Sequence, residues 1–207
     1  MAGEIKKRTR MGLGAELALI FVVWPLVAAL LPDFSRIYLF VPIFAYSAVV
    51  FFLSRPPRLQ PEWTWRVPAL RLLAATPFLL ALTWLLVPQL WFAFPRQHPG
   101  WWAVVMALYP FLSAWPQEFV YRRFFFWRYT AILGRGAMRL VVNALVFGWL
   151  HLIFWNAPAL ILGSIGGWIF ARTFERSRNL TLVWIEHALY GMIAFTIGLG
   201  RFFYNGN

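Results

Sequence analysis

Long apolar runs alternate with short polar connections along the whole chain. Seven runs can be drawn, and each is close to the ~20 residues that a helix needs to cross a bilayer. Their bounds are Gly12–Leu31, Ile37–Leu53, Pro68–Leu90, Trp101–Trp127, Met138–Phe154, Ala157–Phe174 and Leu180–Gly200. The pattern predicts an all-α polytopic membrane protein with about seven transmembrane helices.

Composition supports this class and excludes others. Hydrophobic residues make up 61% of the chain and charged residues 13%, against about 25% charged in soluble domains. The net charge of +12 could suggest nucleic acid. The basic residues, however, recur between the apolar runs, as they do in the cytoplasmic loops of membrane proteins. We therefore expect the lipid bilayer as a partner and no nucleic acid.

The distribution of basic residues also predicts the orientation in the membrane. With the N-terminus in the cytoplasm, only three of the 19 Lys and Arg residues fall outside, namely Arg36, Arg96 and Arg201. Lys and Arg concentrate in cytoplasmic loops. Seven spans then place the C-terminus on the outer side.

Three ionisable residues lie inside the apolar runs: Glu118, His151 and His187. A charged residue at membrane depth is costly and is by default a candidate functional residue. The fourth and fifth runs are predicted to form a hairpin that turns at residues 134–136. Glu118 precedes this turn by nearly the same number of residues as His151 follows it, so the two side chains should lie at similar depth. His187 could join them if the last helix packs alongside.

This set of residues allows several kinds of chemistry. A carboxylate beside an imidazole can take a proton from water and pass it to a leaving group. Glu118, His151 and His187 could alternatively bind zinc with an open position for water, although their spacing is not that of zincins. Arg122 lies four residues after Glu118 on the same helix. It is expected to be the counter-ion, or the two could form a purely structural ion pair.

The sequence around these residues resembles the three motifs of the CPBP family (CAAX-processing and bacteriocin-processing, or Abi) of intramembrane proteases. The first motif, Glu-Glu-x-x-x-Arg, is similar to residues 117–122, and the second, Phe-x-x-x-His, to residues 147–151. The third, His-x-x-x-Asn, is similar to residues 187–191. The resemblance divides the chain into an N-terminal part of about three spans, 1–100, and a CPBP-like part, 101–207, with a four-helix catalytic core.

The resemblance implies a glutamic-type intramembrane endopeptidase of the bacterial inner membrane, historically called a metalloprotease. Its substrate would be a membrane-anchored protein or peptide, cleaved for example near a C-terminal processing or sorting tail. Glu118 would be the general base, His151 its partner on water and His187 the oxyanion or proton-relay group. No cofactor is expected, with zinc as the alternative. The expected supporting residues are Arg122, Gln117, Phe147, Tyr121 and Gly191.

Two positions depart from the family pattern. Gln117 stands where the first motif has its first glutamate, and Gly191 ends the third motif. Because an amide cannot deprotonate water, either Glu118 is the base or the protein is a catalytically silent membrane binding or immunity protein. A small proton-coupled transporter is a further alternative, with Glu186 in the relay. Such carriers show inverted repeats, and the sequence has none that we detect.

Overall fold

A computed structural model describes residues 2–31 and 40–204, with side chains from Thr9 onward. Helix accounts for 86% of the structure, and the two described ranges contain no strand. The predicted all-α class is confirmed. Its physical reason is that a helix satisfies every backbone N–H and C=O within one segment, as the hydrocarbon core of a bilayer requires.

Twelve α-helices form within the described ranges. They are α1 Ala2–Ala18, α2 Trp24–Leu30, α3 Phe40–Ser54, α4 Arg66–Leu86, α5 Ala93–Gln97, α6 Pro99–Tyr109, α7 Trp115–Glu118, α8 Phe125–Arg128, α9 Thr130–Leu133, α10 Ala137–Leu150, α11 Ala157–Ser177 and α12 Leu180–Ile197. Short π-helical segments connect three pairs of helices. These are Leu19–Val23 before α2, Pro110–Ala114 before α7 and Phe119–Phe124 before α8.

Five helical segments of the described chain are long and apolar enough to cross a membrane. They are Thr9–Leu30, Arg66–Leu86, Ala137–Phe154, Ala157–Ser177 and Leu180–Ile197. The protein is therefore an integral membrane protein by the length and composition of its helices, but the predicted count of seven is not confirmed.

The two remaining predicted spans differ for separate reasons. The run Ile37–Leu53 begins outside the described residues, and its described part is the 15-residue helix α3. The run Trp101–Trp127 is divided among α6, α7 and α8 by π-helical segments. Its polar side chains, with Gln117 and Glu118 among them, also lower its mean hydropathy. The run that contains the first motif is therefore less hydrophobic than the five segments named above.

The chain divides into two compact units. The first unit contains Met1–Arg58 and Phe119–Arg172, and the second contains Leu59–Glu118 and Thr173–Asn207. The predicted boundary at residue 100 follows the positions of the motifs and not the packing of the chain, and it stays a prediction.

The core of the first unit is aromatic. Phe21, from the π-helical segment before α2, is fully buried. Its ring meets the rings of Tyr121, Phe125 and Tyr129 edge-on, with centroids 5.1, 5.3 and 5.8 Å away. Each edge-to-face pair is worth about 0.5–1.5 kcal/mol beyond its buried area. These contacts tie the N-terminal helices to the segment that contains the first motif.

In the second unit, α6 and the π-helical segment Pro110–Ala114 form hydrogen bonds with α12. The indole of Trp184 donates a hydrogen bond to the Pro110 carbonyl at 2.6 Å, and Trp102 donates to the Thr196 hydroxyl at 3.1 Å. The Pro110 carbonyl lies in the π-helical segment, where the regular helical bonding pattern is interrupted. These bonds fasten α6 and the π-helical segment that follows it to α12.

Candidate active site

Glu118 and His187 meet in the second unit. The distance from Glu118 Oε1 to His187 Nδ1 is 2.7 Å. The Glu118 side chain has no exposed surface, and that of His187 is 9% exposed. We call these two residues the dyad. We expected His187 to join the other polar residues if the last helix packed alongside them. Within the second unit, α12 places His187 beside Glu118.

Local sequence explains how each dyad residue is held. Glu118 is the last residue of α7, just after the π-helical turn that the Trp184 bond fixes. His187 lies about two turns into α12. That helix begins at Asn179, whose side-chain Oδ1 accepts a hydrogen bond from the Leu182 N–H at 3.0 Å, a standard helix cap.

The short contact sets the tautomer of the histidine. With Glu118 ionised, Nδ1 must carry the hydrogen and donate it to Oε1. Such a bond is charge-assisted, and it gains strength where water is excluded. The dyad therefore combines an oriented carboxylate with an imidazole that donates from Nδ1.

The side chains of Gln117 and Glu118 point in different directions. The Gln117 Nε2 donates to the Ser113 hydroxyl at 2.9 Å, one turn back on the same helical stretch. The Gln117 Oε1 is buried and has no hydrogen-bond partner among the described residues. Adjacent helical residues diverge by about 100°, so the amide stays along its own helix while Glu118 bonds to α12.

Arg122 belongs to the π-helical segment Phe119–Phe124 of the first unit and is fully buried. Its Nη1 donates a hydrogen bond to Asn143 Oδ1 at 2.7 Å. The guanidinium carbon also lies 4.6 Å from the centre of the Phe147 ring, within cation–π range. The expected pairing of Arg122 with Glu118 stays a prediction.

Asn143 is the residue that sequence reasoning missed in this region. It is fully buried on α10, and its Nδ2 donates to the Tyr121 carbonyl at 2.7 Å while its Oδ1 accepts from Arg122. We call Arg122, Asn143 and the Tyr121 carbonyl the clamp. The available signal was a single amide in an apolar run, four residues before Phe147 and eight before His151, on one helical face.

His151 begins the 3₁₀ turn that follows α10. Its Nδ1 lies 2.9 Å from the Phe147 carbonyl, and the two rings are 5.3 Å apart. A Cβ at Gly163 would come within 2.7 Å of the His151 ring, so glycine allows α11 to approach. His151 and Glu118 belong to different units, and their predicted meeting on a water molecule stays a prediction.

Two further supporting residues have apolar roles in the described contacts. The Phe147 ring contacts Arg122, His151 and Tyr121, with the Tyr121 ring edge-on at 5.1 Å. The Tyr121 hydroxyl is buried and has no hydrogen-bond partner within the described ranges. Tyr121 therefore contributes its ring and its carbonyl to the site, and we see no donation by its hydroxyl to a described residue.

Gly191 follows His187 by one turn of α12 and lies against Tyr109 of α6.

The described part of the chain contains no group of three or more His, Cys, Asp or Glu side chains that could hold a metal ion. The expectation that the reaction uses no cofactor stays a prediction.

Residues 99–193 match the family model of the Rce1-like proteins, described as type II CAAX prenyl endopeptidase Rce1-like. This part of the chain is similar to the Rce1-like family. The match covers all three motifs and confirms the resemblance that they predicted. The Rce1-like region implies an intramembrane protease that acts on a protein or peptide. Curated proteins and solved structures give no match.

Proposed function

We propose that the chain is a glutamic-type intramembrane endopeptidase in which Glu118 activates the attacking water. The observation that carries this proposal is the 2.7 Å contact between Glu118 and His187 in a buried environment. A general base needs a lone pair aimed at the water and a hydrogen-bond partner that holds the base in position as it takes the proton. The dyad has both, and the Rce1-like region gives the reaction class.

The proposed steps conserve every atom. Glu118 takes one proton from water, and the water oxygen bonds to the carbonyl carbon of the scissile peptide. The carbon–nitrogen bond then breaks, and the same proton is delivered to the leaving nitrogen. His187 donates Nδ1–H to Glu118 and holds the carboxylate aimed before water binds. By the family motif, His151 is the second group on the water.

The proposed substrate is a membrane-anchored protein or peptide with a cleavable C-terminal tail. The family description names CAAX prenyl endopeptidases, so a lipid-bearing tail is the first candidate and a single-span sorting tail the second. The proposed location is the bacterial inner membrane. The proposed orientation has the N-terminus in the cytoplasm and the C-terminus outside, and both five and seven spans would place the termini on opposite sides.

Cleavage in vesicles tests the activity. The purified chain is reconstituted with a farnesylated peptide ending in Cys-aliphatic-aliphatic-X or with a single-span peptide bearing a C-terminal tail. Mass spectrometry identifies the products. We expect the wild-type chain to cleave one of them and Glu118→Gln to cleave neither. Full activity of a folded Glu118→Gln variant would remove Glu118 as the base.

The orientation has its own test. A reporter that is active only in the periplasm, fused after Asn207, should give a signal. Activity of a cytoplasmic reporter at the same position would contradict the proposed orientation.

A second candidate function rests on Gln117. Its amide is held by Ser113 at the position where the motif has a glutamate, and an amide cannot accept the proton of water. A silent relative would bind the tail peptide without cleaving it. Activity gained only in Gln117→Glu would favour this candidate, whereas cleavage by the wild-type chain would exclude it.

A further inference from the structure

Tyr109 packs over the backbone of Gly191. A Cβ built at residue 191 would collide with the hydroxyl and two ring carbons of Tyr109. The Tyr109 ring also meets the His187 ring edge-on at 6.1 Å and the Phe195 ring at 5.4 Å. Glycine at 191 therefore makes room for a phenol from α6, and that phenol borders the histidine of the dyad.

The Tyr109 hydroxyl has no hydrogen-bond partner among the described residues. The Tyr109 ring meets the rings of His187 and Phe195. The side chain is only half-buried. A tyrosine hydroxyl in apolar surroundings normally finds a partner, as that of Tyr129 does on Glu16 at 3.0 Å. A phenolic donor is thus left available beside the dyad.

Peptide hydrolysis needs such a donor. Attack by water places negative charge on the carbonyl oxygen, and a preorganised donor aimed at that oxygen lowers the barrier. In our mechanism His187 Nδ1 is engaged with Glu118, and Gly191 has no side chain to offer. The neutral hydroxyl of Tyr109 is a donor that borders His187 from the neighbouring helix.

We propose that Tyr109 is a further catalytic residue, which donates a hydrogen bond to the carbonyl oxygen of the scissile peptide. The proton stays on the phenol throughout, and no bond of Tyr109 is broken. This role rests on the proposed endopeptidase function. It also explains Gly191, because any larger residue would displace the phenol.

The first test is the Tyr109→Phe variant, which keeps the ring and its packing and removes one oxygen. Loss of one oxyanion donor typically lowers kcat by about 10²-fold or more, and we expect that loss with little change in KM. The matched control is Tyr204→Phe, because Tyr204 is 58% exposed and lies after α12. We expect this control to keep wild-type kinetics.

The second test does not need turnover. Two uncleavable forms of the same farnesylated tail peptide are compared, one with a phosphinate at the scissile position and one with a methylene-amine. The phosphinate carries an oxygen where the oxyanion would form, and the methylene-amine carries none. We expect Tyr109→Phe to weaken phosphinate binding by about tenfold or more, in keeping with one lost hydrogen bond to a charged group. Binding of the methylene-amine peptide should be unchanged.

The outcomes separate the two proposals. Unchanged kinetics in Tyr109→Phe, or equal weakening of both analogues, would overturn the role of Tyr109 and leave the endopeptidase function standing. A wild-type chain that cleaves nothing but loses phosphinate affinity on Tyr109→Phe would keep the contact and overturn the activity. A wild-type chain that neither cleaves nor binds the phosphinate would overturn both.

Discussion

The dyad of the second unit and the clamp of the first unit are both buried, yet they differ in what they can do with a proton. Glu118 has a carboxylate and His187 an imidazole, and both kinds of group can accept and release a proton. Arg122 stays protonated in proteins, and Asn143 has no titratable group. The dyad is therefore suited to proton transfer, whereas the clamp is suited to holding a backbone in place.

The hydrogen bonds show the same contrast. The dyad joins two side chains that are 69 residues apart in sequence. The clamp uses both ends of one amide, with Oδ1 bound to Arg122 and Nδ2 bound to the Tyr121 carbonyl. A neutral amide that bonds at both ends fixes position without changing charge. The contrast predicts which substitutions act on chemistry and which act on stability.

The largest effect is expected at the base. Glu118→Gln keeps the size of the side chain but removes its ability to take a proton, so kcat/KM should fall by about 10³-fold or more. Gln117→Ala is the matched control and should leave measurable turnover. Cleavage of the tail peptide is the measurement, and thermal unfolding in detergent checks the fold. Equal losses in both variants would erase the distinction between these neighbours.

His187→Gln should give the next largest effect. The amide can still donate to Glu118, but its flexible side chain aims the carboxylate less well than the imidazole does, so kcat should fall by about 10²-fold. The matched control is His98→Gln, since His98 is exposed in the same unit. If His187→Gln retained wild-type kcat, the dyad would be a structural contact like the clamp.

Asn143→Leu should act mainly on stability. The substitution removes one hydrogen bond from the buried guanidinium of Arg122 and one from the Tyr121 carbonyl. The free energy of unfolding should fall by about 2–3 kcal/mol. Chemical denaturation in mixed micelles measures this loss, and Leu145→Ala, at an exposed position of α10, is the control. A loss of kcat in Asn143→Leu without any loss of stability would mean that the clamp takes part in the chemistry.

The smallest effect is expected at the contact between Arg128 and Glu16. Arg128 donates two hydrogen bonds to the carboxylate, at 2.9 and 2.7 Å, but both side chains are partly exposed. Glu16→Gln should therefore lower stability by about 1 kcal/mol or less and leave cleavage unchanged. A marked loss of activity would show that the first unit's N-terminal helix contributes more than anchoring.

Much of the architecture could be predicted from the apolar runs, because lipid forces the backbone into helices. The run Leu180–Gly200 corresponds to α12, Leu180–Ile197, and the proline-rich connection between residues 54 and 66 lies between α3 and α4. The motif residues could be named as well, since a carboxylate and imidazoles are rare inside such runs.

The π-helical segments, the clamp and the Tyr109 contact could not be predicted. In two of the π-helical segments a carbonyl accepts a hydrogen bond from a distant side chain, Trp184 for Pro110 and Asn143 for Tyr121. An isolated Asn or Tyr has no spacing rule that reveals such a partner. The count of seven spans was not confirmed, because one run begins outside the described residues and the polar side chains of the run Trp101–Trp127 lower its mean hydropathy.

The π-turn Pro110–Ala114 has a consequence for insertions and deletions. A π-turn holds one residue more than an α-turn, since its bonds run from i to i+5. Removing one residue from an ordinary α-helix rotates everything beyond it by about 100°. Removing one within this turn would instead restore regular α geometry and leave Tyr109 and Glu118 facing as they do now. A chain one residue shorter at this turn would therefore keep Tyr109 and Glu118 on the same helix faces. It would lose the hydrogen bond between Trp184 and the Pro110 carbonyl.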